Sequence, residues 1–242
     1  YLPSVVTTSD AGAGIGYTGI RIRGISAQST NITINGIPFN DAESHGTYWV
    51  NLPDFSSSVE SLQVQRGVGT STNGSGAFGS SINILTDGIS EDPYAEISNS
   101  FGSYDSRKHT VKFSSGLLND SFEISGRLSK IDSDGYVDRA FSDLKSYFLQ
   151  GAYKRGNTFL KALAFGGHEK TYQAWDGLSK EQIKENRRQN PLTYENEIDN
   201  YKQDHYQMHL NQKIDSKWST NIGLNYTYGR GYFEQFREDD DI

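Results

Sequence analysis

The side chains best suited to chemistry lie in one loop, FNDAESHGTYW (39–49), where Asp41, Glu43 and His45 occupy alternate positions. Two carboxylates and an imidazole so spaced are the oxygen and nitrogen donors that hold a divalent cation. They come from a single loop, with no cysteine in the chain and no second cluster of matching spacing, so neither a metal site nor a cofactor is expected. GIGYTG (14–19) fits the G-x-G-x-x-G pattern that cradles a dinucleotide, with Asp41 at a tempting distance. That fingerprint must follow a strand and open a helix, whereas here Ile20 and Ile22 alternate with arginines as a strand does. No nucleophile elbow and no phosphate loop occurs, so the chain is not expected to be an enzyme. Tyr48 and Trp49, beside a few polar groups, offer a surface suited to an organic ligand; the alternative is that the two rings pack on their own domain. His168, Tyr172 and Trp175, in HEKTYQAWDGL (168–178), likewise read either as part of a ligand vestibule or as aromatic anchors at a membrane interface.

The elements that must position these residues follow two grammars. Up to about Asp87 the 242-residue chain is rich in Gly, Ser and Thr, with short alternating strands. Beyond Asp92-Pro93, segments of about ten residues alternate apolar and polar, and their separators are alternately short and long, the signature of an outer-membrane barrel. Seven such segments are expected, at 94–101, 110–117, 121–131, 145–154, 158–167, 201–214 and 217–229. In the third, Phe122, Ile124 and Leu128 share one side while Glu123, Ser125, Arg127 and Ser129 share the other. In the last, Trp218, Thr220, Ile222, Leu224, Tyr226 and Tyr228 share a face with aromatics at both ends. The fifth is ambiguous, because Lys161 shares its parity with Phe159, Leu163 and Phe165: either that row faces a wet lumen or the register slips. Within the longest loop, Ser179 to Gln189 opens on an N-cap serine and predicts a surface helix.

Composition limits the alternatives. Aromatic residues at 12% exclude disorder for most of the length, and a net charge of -7 with no basic stripe excludes nucleic acid as a partner. No run approaches the roughly 18 apolar residues of a membrane helix, but a barrel shows lipid only alternate side chains, so low hydropathy is compatible with spanning. The chain opens at Tyr1 without a charged or apolar leader, so a secretory signal is either removed or absent.

Three motifs, IRIRG (20–24), ITINGIP (32–38) and VESLQVQRGVGTSTNGSGAFGSSINILT (59–86), stand in an order and spacing that resembles the C-terminal half of the plug domain of TonB-dependent outer-membrane receptors, siderophore and cobalamin types above all. The resemblance implies an all-β fold with little helix: a plug, residues 1–88, inside a transmembrane antiparallel barrel whose first strands occupy residues 89–242. Seven strands are too few for a barrel that holds a plug, described as having about 22. The chain is therefore expected to be part of a larger protein, with the TonB-contacting segment and the remaining strands outside it. In such a receptor the glycine loop and the 39–49 loop face the external vestibule, which makes Asp10, Tyr17, Asn40, Asp41, Glu43, Ser44, His45, Tyr48 and Trp49 ligand-contact candidates. Arg23, Glu60 and Arg66 would meet carboxylates of the barrel interior, Glu123 among them, as a gate or a static lock. The implied function is TonB-driven import of a scarce ligand across the bacterial outer membrane, a ferric siderophore or related iron chelate being preferred over haem, cobalamin or oligosaccharide. The implied partners are TonB, the ligand and the lipid bilayer, with room for a surface lipoprotein. A non-transporting adhesion barrel and a soluble β-sandwich are the rivals.

Overall fold

The computed structural model describes residues 3–67 and 79–236. The glycine and serine run between them, which carries part of the third motif, lies outside the described residues.

The first third of the chain forms two small sheets. β1 (Val5–Ser9) and β2 (Thr18–Ile22) pair antiparallel. The glycine loop between them needs glycine at position 16, where φ is +83° and a Cβ would come 2.5 Å from Ser142 Oγ. β3 (Thr30–Ile34) and β4 (Ile37–Pro38) form a hairpin through Asn35 and Gly36, both at positive φ, the turn chemistry that a two-residue hairpin requires. β5 (Val59–Arg66) and β6 (Ser80–Thr86) complete a sheet of order β4-β3-β6-β5, in which β3 runs parallel to β6. The alternating isoleucines of β3 and β6 point into one core, with Ile32, Ile34, Ile82 and Ile84 all buried.

Seven long strands follow: β7 (Pro93–Gly102), β8 (Ser106–Ser115), β9 (Phe122–Ser133), β10 (Ser142–Arg155), β11 (Thr158–Tyr172), β12 (Ile198–Lys213) and β13 (Ser219–Phe233). Each pairs antiparallel with the next in sequence, so they make one meander sheet, as the alternating segments predict. The helix in the longest loop is α1 (Lys180–Glu185), closed by a capping box between Ser179 and Gln182. It stops short of Gln189 because Asn186 leaves helical geometry and turns its Oδ1 back onto Arg188 N.

Parity divides the large sheet into two chemically different faces. Phe113, Leu128 and Leu224 are exposed on one, whereas Thr110, Glu123, Ser125, Arg127 and Ser129 are buried on the other, against the small sheets. This is the reverse of a soluble sandwich, whose apolar rows would lie between the layers. The ambiguous row of β11 also resolves: Lys161, Leu163 and Phe165 all face the small sheets, and the register does not slip. Leu163 and Phe165 join Phe148 of β10 in packing on Leu52, Phe55 and the isoleucines, so the main apolar core straddles the two parts. Phe165 sits at its centre, fully buried, with its ring 5.2 Å from that of Phe55 and stacked 4.9 Å from His205.

Phe165→Ala is expected to lower the stability of the docked first third by about 3–5 kcal/mol. Limited proteolysis of that part, with the sheet's own resistance as the internal control, measures it; unchanged cleavage would show that the shared core does not hold the two parts together.

Candidate ligand site at the junction of the two parts

The seam between the parts is organised around a carboxylate. Asp54 lies in a short turn with left-handed φ of 53°, and its side chain is only 2% exposed. Its Oδ1 accepts from Lys108 Nζ at 2.8 Å and from Ser57 Oγ at 2.6 Å. Its Oδ2 accepts from Thr110 Oγ1 at 2.8 Å, Ser129 Oγ at 2.5 Å and Arg127 Nη1 at 3.3 Å. Arg127 is itself buried, and its Nε donates to Ser58 Oγ at 2.8 Å. A second clamp joins Lys112 Nζ to Asp87 at 2.6 Å, while Lys161 Nζ donates to Asp87 O at 2.7 Å and Thr86 Oγ1 at 2.9 Å. Burial pushes the Asp54 carboxyl up, but the hydrogen bonds from Lys108, Ser129, Ser57 and Thr110 outweigh it and hold the group down to about 2.

This seam uses other residues than the electrostatic cluster expected from sequence. Arg23, Glu60 and Arg66 are exposed, and none forms an ion pair with Glu123 among the described residues. Arg66 instead donates to Pro3 O at 3.2 Å. Glu123 is buried as its parity requires, but accepts from neutral donors: Ser114 Oγ at 2.7 Å, Ser90 N at 3.2 Å and Gln150 Nε2 at 3.4 Å. The polarity is inverted as well, with acids on the first third and cations on the sheet.

Above this seam lies an open cavity of about 680 Å³. Tyr17, Phe39, Asp41, Glu43, Ser44, Thr47, Tyr48 and Asn51 line it from the first third, and Glu169, Asp199, Tyr201 and Gln203 from β11 and β12. Tyr17 is the link: its hydroxyl meets the carboxylate of Asp199 and lies 3.4 Å from Glu169 Oε1, while Trp175 packs edge-on against its ring at 5.6 Å. Burial, reinforced by the negative charges of Glu169 and Asp199, pushes the Tyr17 phenol well above its ordinary range, so it stays a hydrogen-bond donor. Asp41 shapes its own loop, its Oδ1 accepting from Ser44 N at 2.7 Å and Glu43 N at 3.0 Å. The bond to Ser44 N, with the other loop donors, holds its carboxyl below the usual range against a smaller upward push from burial. Asn51 Oδ1 and Thr47 Oγ1 are buried without a hydrogen-bond partner among the described residues.

The other candidates separate. Asn40 staples the loop, donating to Thr30 O and His45 O, each at 2.9 Å, and accepting from Ile32 N at 2.7 Å. His45 is exposed at positive φ, and Asp10 is exposed; neither lines the cavity. Tyr48 lines it, whereas Trp49 packs against the isoleucine core, so the two rings divide between the two readings. Trp175 reaches the site through Tyr17, but His168 belongs to the outward row of β11, 2.9 Å from Asn200 Oδ1, and Tyr172 is buried with its hydroxyl on Tyr194 O at 2.6 Å. Glu169 and Asp199 escaped the sequence reading because β11 was ended at Gly167 and β12 begun at Tyr201. Carrying the 161-163-165 parity two steps further would have turned Glu169 inward.

A seven-stranded meander grips the small mixed-sheet first third with its buried polar face, and the chain is similar to TonB-dependent receptors. Residues 1–81 match the family model described as TonB-dependent Receptor Plug Domain. The vitamin B12 transporter BtuB of Vibrio vulnificus is 32% identical over 135 residues, which are 56% of this chain and 21% of that protein. FpvA of P. aeruginosa, solved bound to heterologous pyoverdines, superposes with a TM-score of 0.72 at 14% identity, over 93% of this chain and 30% of that one. The ferric citrate transporter FecA in its unliganded form gives 0.71 at 18% identity, over 97% of this chain and 37% of that one. These two likenesses show the fold, and the chain spans about a third of the solved receptors.

A carboxylate held low when docked adds stability that is complete above about pH 4 and is lost as pH falls through about 2. In a calorimetric pH series, the gap between the wild type and Asp54→Asn is expected to be about 2 kcal/mol at neutral pH and to close across that acid window. A gap independent of pH would show that the Asp54 charge does not hold the seam.

Proposed function

We propose that this chain is the plug-and-wall portion of a receptor that imports a scarce organic ligand across the bacterial outer membrane, driven by TonB. The carrying observation is the cavity at the junction, lined from both the plug and the barrel wall. A ligand seated there touches both halves, so its binding couples to the seam that must open for passage. The Asp54 and Asp87 clamps seal the lumen, and an external energy source is needed because the seal must be broken and remade. On this reading residues 1–88 act as the plug and residues 89–242 as the wall.

The ligand we favour is an iron chelate. Four carboxylates line the cavity, those of Asp41, Glu43, Glu169 and Asp199, and no Lys or Arg lines it among the described residues. Such a surface repels anions, so the chelate would present a neutral or cationic exterior rich in hydrogen-bond donors, with Tyr48 and Tyr201 offering ring faces. Cobalamin is the second reading, favoured by the 32% identity to a vitamin B12 transporter.

Cells expressing the full-length receptor, supplied with radiolabelled ferric hydroxamates or cyanocobalamin, are expected to bind ligand with or without TonB and to accumulate it only with TonB. Accumulation in a TonB-deficient strain would sink the proposal. Tyr17→Phe, which removes the one donor between two carboxylates, is expected to weaken binding about tenfold.

A further inference from the structure

Two of the acids that line the cavity lack the partners that a buried acid has elsewhere in this molecule. Glu169 on β11 is 1% exposed and Asp199 on β12 is 9% exposed. Strand pairing sets Thr171 opposite Asp199 and Tyr201 opposite Glu169, so the two acids are diagonal neighbours, and the Tyr17 hydroxyl lies between their carboxylates. Beyond that hydroxyl the pair has one further donor among the described residues, Thr171 Oγ1, 3.1 Å from Glu169 Oε2. Neither acid forms an ion pair among the described residues. Asp54, comparably buried, takes five donors, and two of them, Lys108 and Arg127, are cations. Buried carboxylates without a cation beside them are costly, so the pair calls for a positive charge that the described residues do not bring to it.

A second observation on the cavity floor is independent of the acids. Asn51 is 8% exposed and lines the cavity, and its Oδ1 has no hydrogen-bond partner among the described residues. It lies close to the pair: Gly167 stands two residues before Glu169 on the inward row of β11, and a Cβ there would come 2.4 Å from Asn51 O. A buried carbonyl oxygen left without a donor is an acceptor for a group that arrives from outside. The rings of Tyr48, Tyr201, Tyr232 and Phe233 also line the cavity, and an aromatic face attracts a cation through its quadrupole.

The size and donor set of the site favour an organic cation over a bare metal ion. No three His, Asp or Glu side chains converge on a metal position among the described residues, whereas calcium takes roughly six to eight oxygen ligands. A cavity of about 680 Å³ has room for a molecule, and a neutral molecule would leave the acid pair uncompensated.

We propose that the ligand of this cavity is an organic cation, whose ammonium or guanidinium group is bound by Glu169 and Asp199 while a neighbouring N–H or O–H donates to Asn51 Oδ1. The proposal rests on reading the cavity as the site of the imported ligand, and it goes past that reading in requiring a positive charge on the ligand.

Isothermal titration calorimetry of the detergent-solubilised full-length receptor tests it, with phenylguanidinium and phenylurea as probes that share a shape and differ in charge. Phenylguanidinium is expected to bind more tightly than phenylurea by about tenfold or more. That advantage should vanish in a Glu169→Gln, Asp199→Asn double variant; if the double variant loses the protease resistance of its first third, Asp199→Asn alone decides, and should lose part of the advantage. Asn51→Ala is expected to weaken both probes alike, since both carry N–H donors. Equal affinity for the two probes, or binding of neither, overturns the proposal, as does an undiminished preference in the acid variants or unchanged binding of both probes by Asn51→Ala. Displacement of phenylguanidinium by millimolar calcium also overturns it, since it would mark a metal site. A receptor that accumulates ligand only with TonB yet does not distinguish the probes overturns this inference alone, whereas one that distinguishes them but accumulates ligand without TonB overturns the import reading alone.

Discussion

A carboxylate with 2% of its side chain exposed, Asp54, sets the terms on which the two parts of this molecule meet. An ion so buried is tolerable only with donors on every lone pair, because removing a charge from water costs several kcal/mol. The donors come from two adjacent strands of the wall, Lys108 and Thr110 on β8 and Arg127 and Ser129 on β9, and from Ser57 in the same turn, while Ser146 on β10 accepts from Arg127 and donates to Pro53 O. The constraint is reciprocal, since Arg127, at 1% exposure, would be as badly placed without the acid. Neither part is a satisfied surface alone, and the seam therefore specifies a single docked arrangement.

Apolar contact does different work in the same junction. Phe55, Phe148, Leu163 and Phe165 bring the layers together without directional demands, while the ionic network fixes register between them. A seam held by discrete, hydrated-when-open polar groups can be parted and closed repeatedly, which a purely greasy one of the same area resists less selectively. Gly167 marks how close the approach is: a Cβ there would come 2.5 Å from Pro53 Cδ. The cavity above the seam exists because the wall continues past the plug, leaving Glu169, Asp199 and Tyr17 to meet across the gap.

Much of the architecture was legible residue by residue. Period-two alternation named all seven wall strands and assigned Glu123, Arg127 and Ser129 to the buried face, because parity is a local property of extended chain. Strand ends were less legible: β11 runs on to Tyr172, since polar inward residues such as Glu169 and Thr171 look like loop until something is known to pack on them. The charges of the seam were less legible for a related reason. Arg23, Glu60 and Arg66 are conspicuous on alternating segments, whereas Asp54, inside PDF in a turn, carries no pattern at all.

By itself, the sequence determined the two grammars, the seven long strands with their apolar and polar rows, and the helix that opens at Ser179, all of which follow from dihedral preference and side-chain periodicity. Only the tertiary structure decided which acid meets which base, that Tyr48 lines the cavity while Trp49 enters the core, and that the Tyr17 hydroxyl donates to a carboxylate as far along the chain as Asp199. Those outcomes depend on how two layers are set against each other, and the energy of a buried charge or an unpaired lone pair becomes defined only once that placement is made.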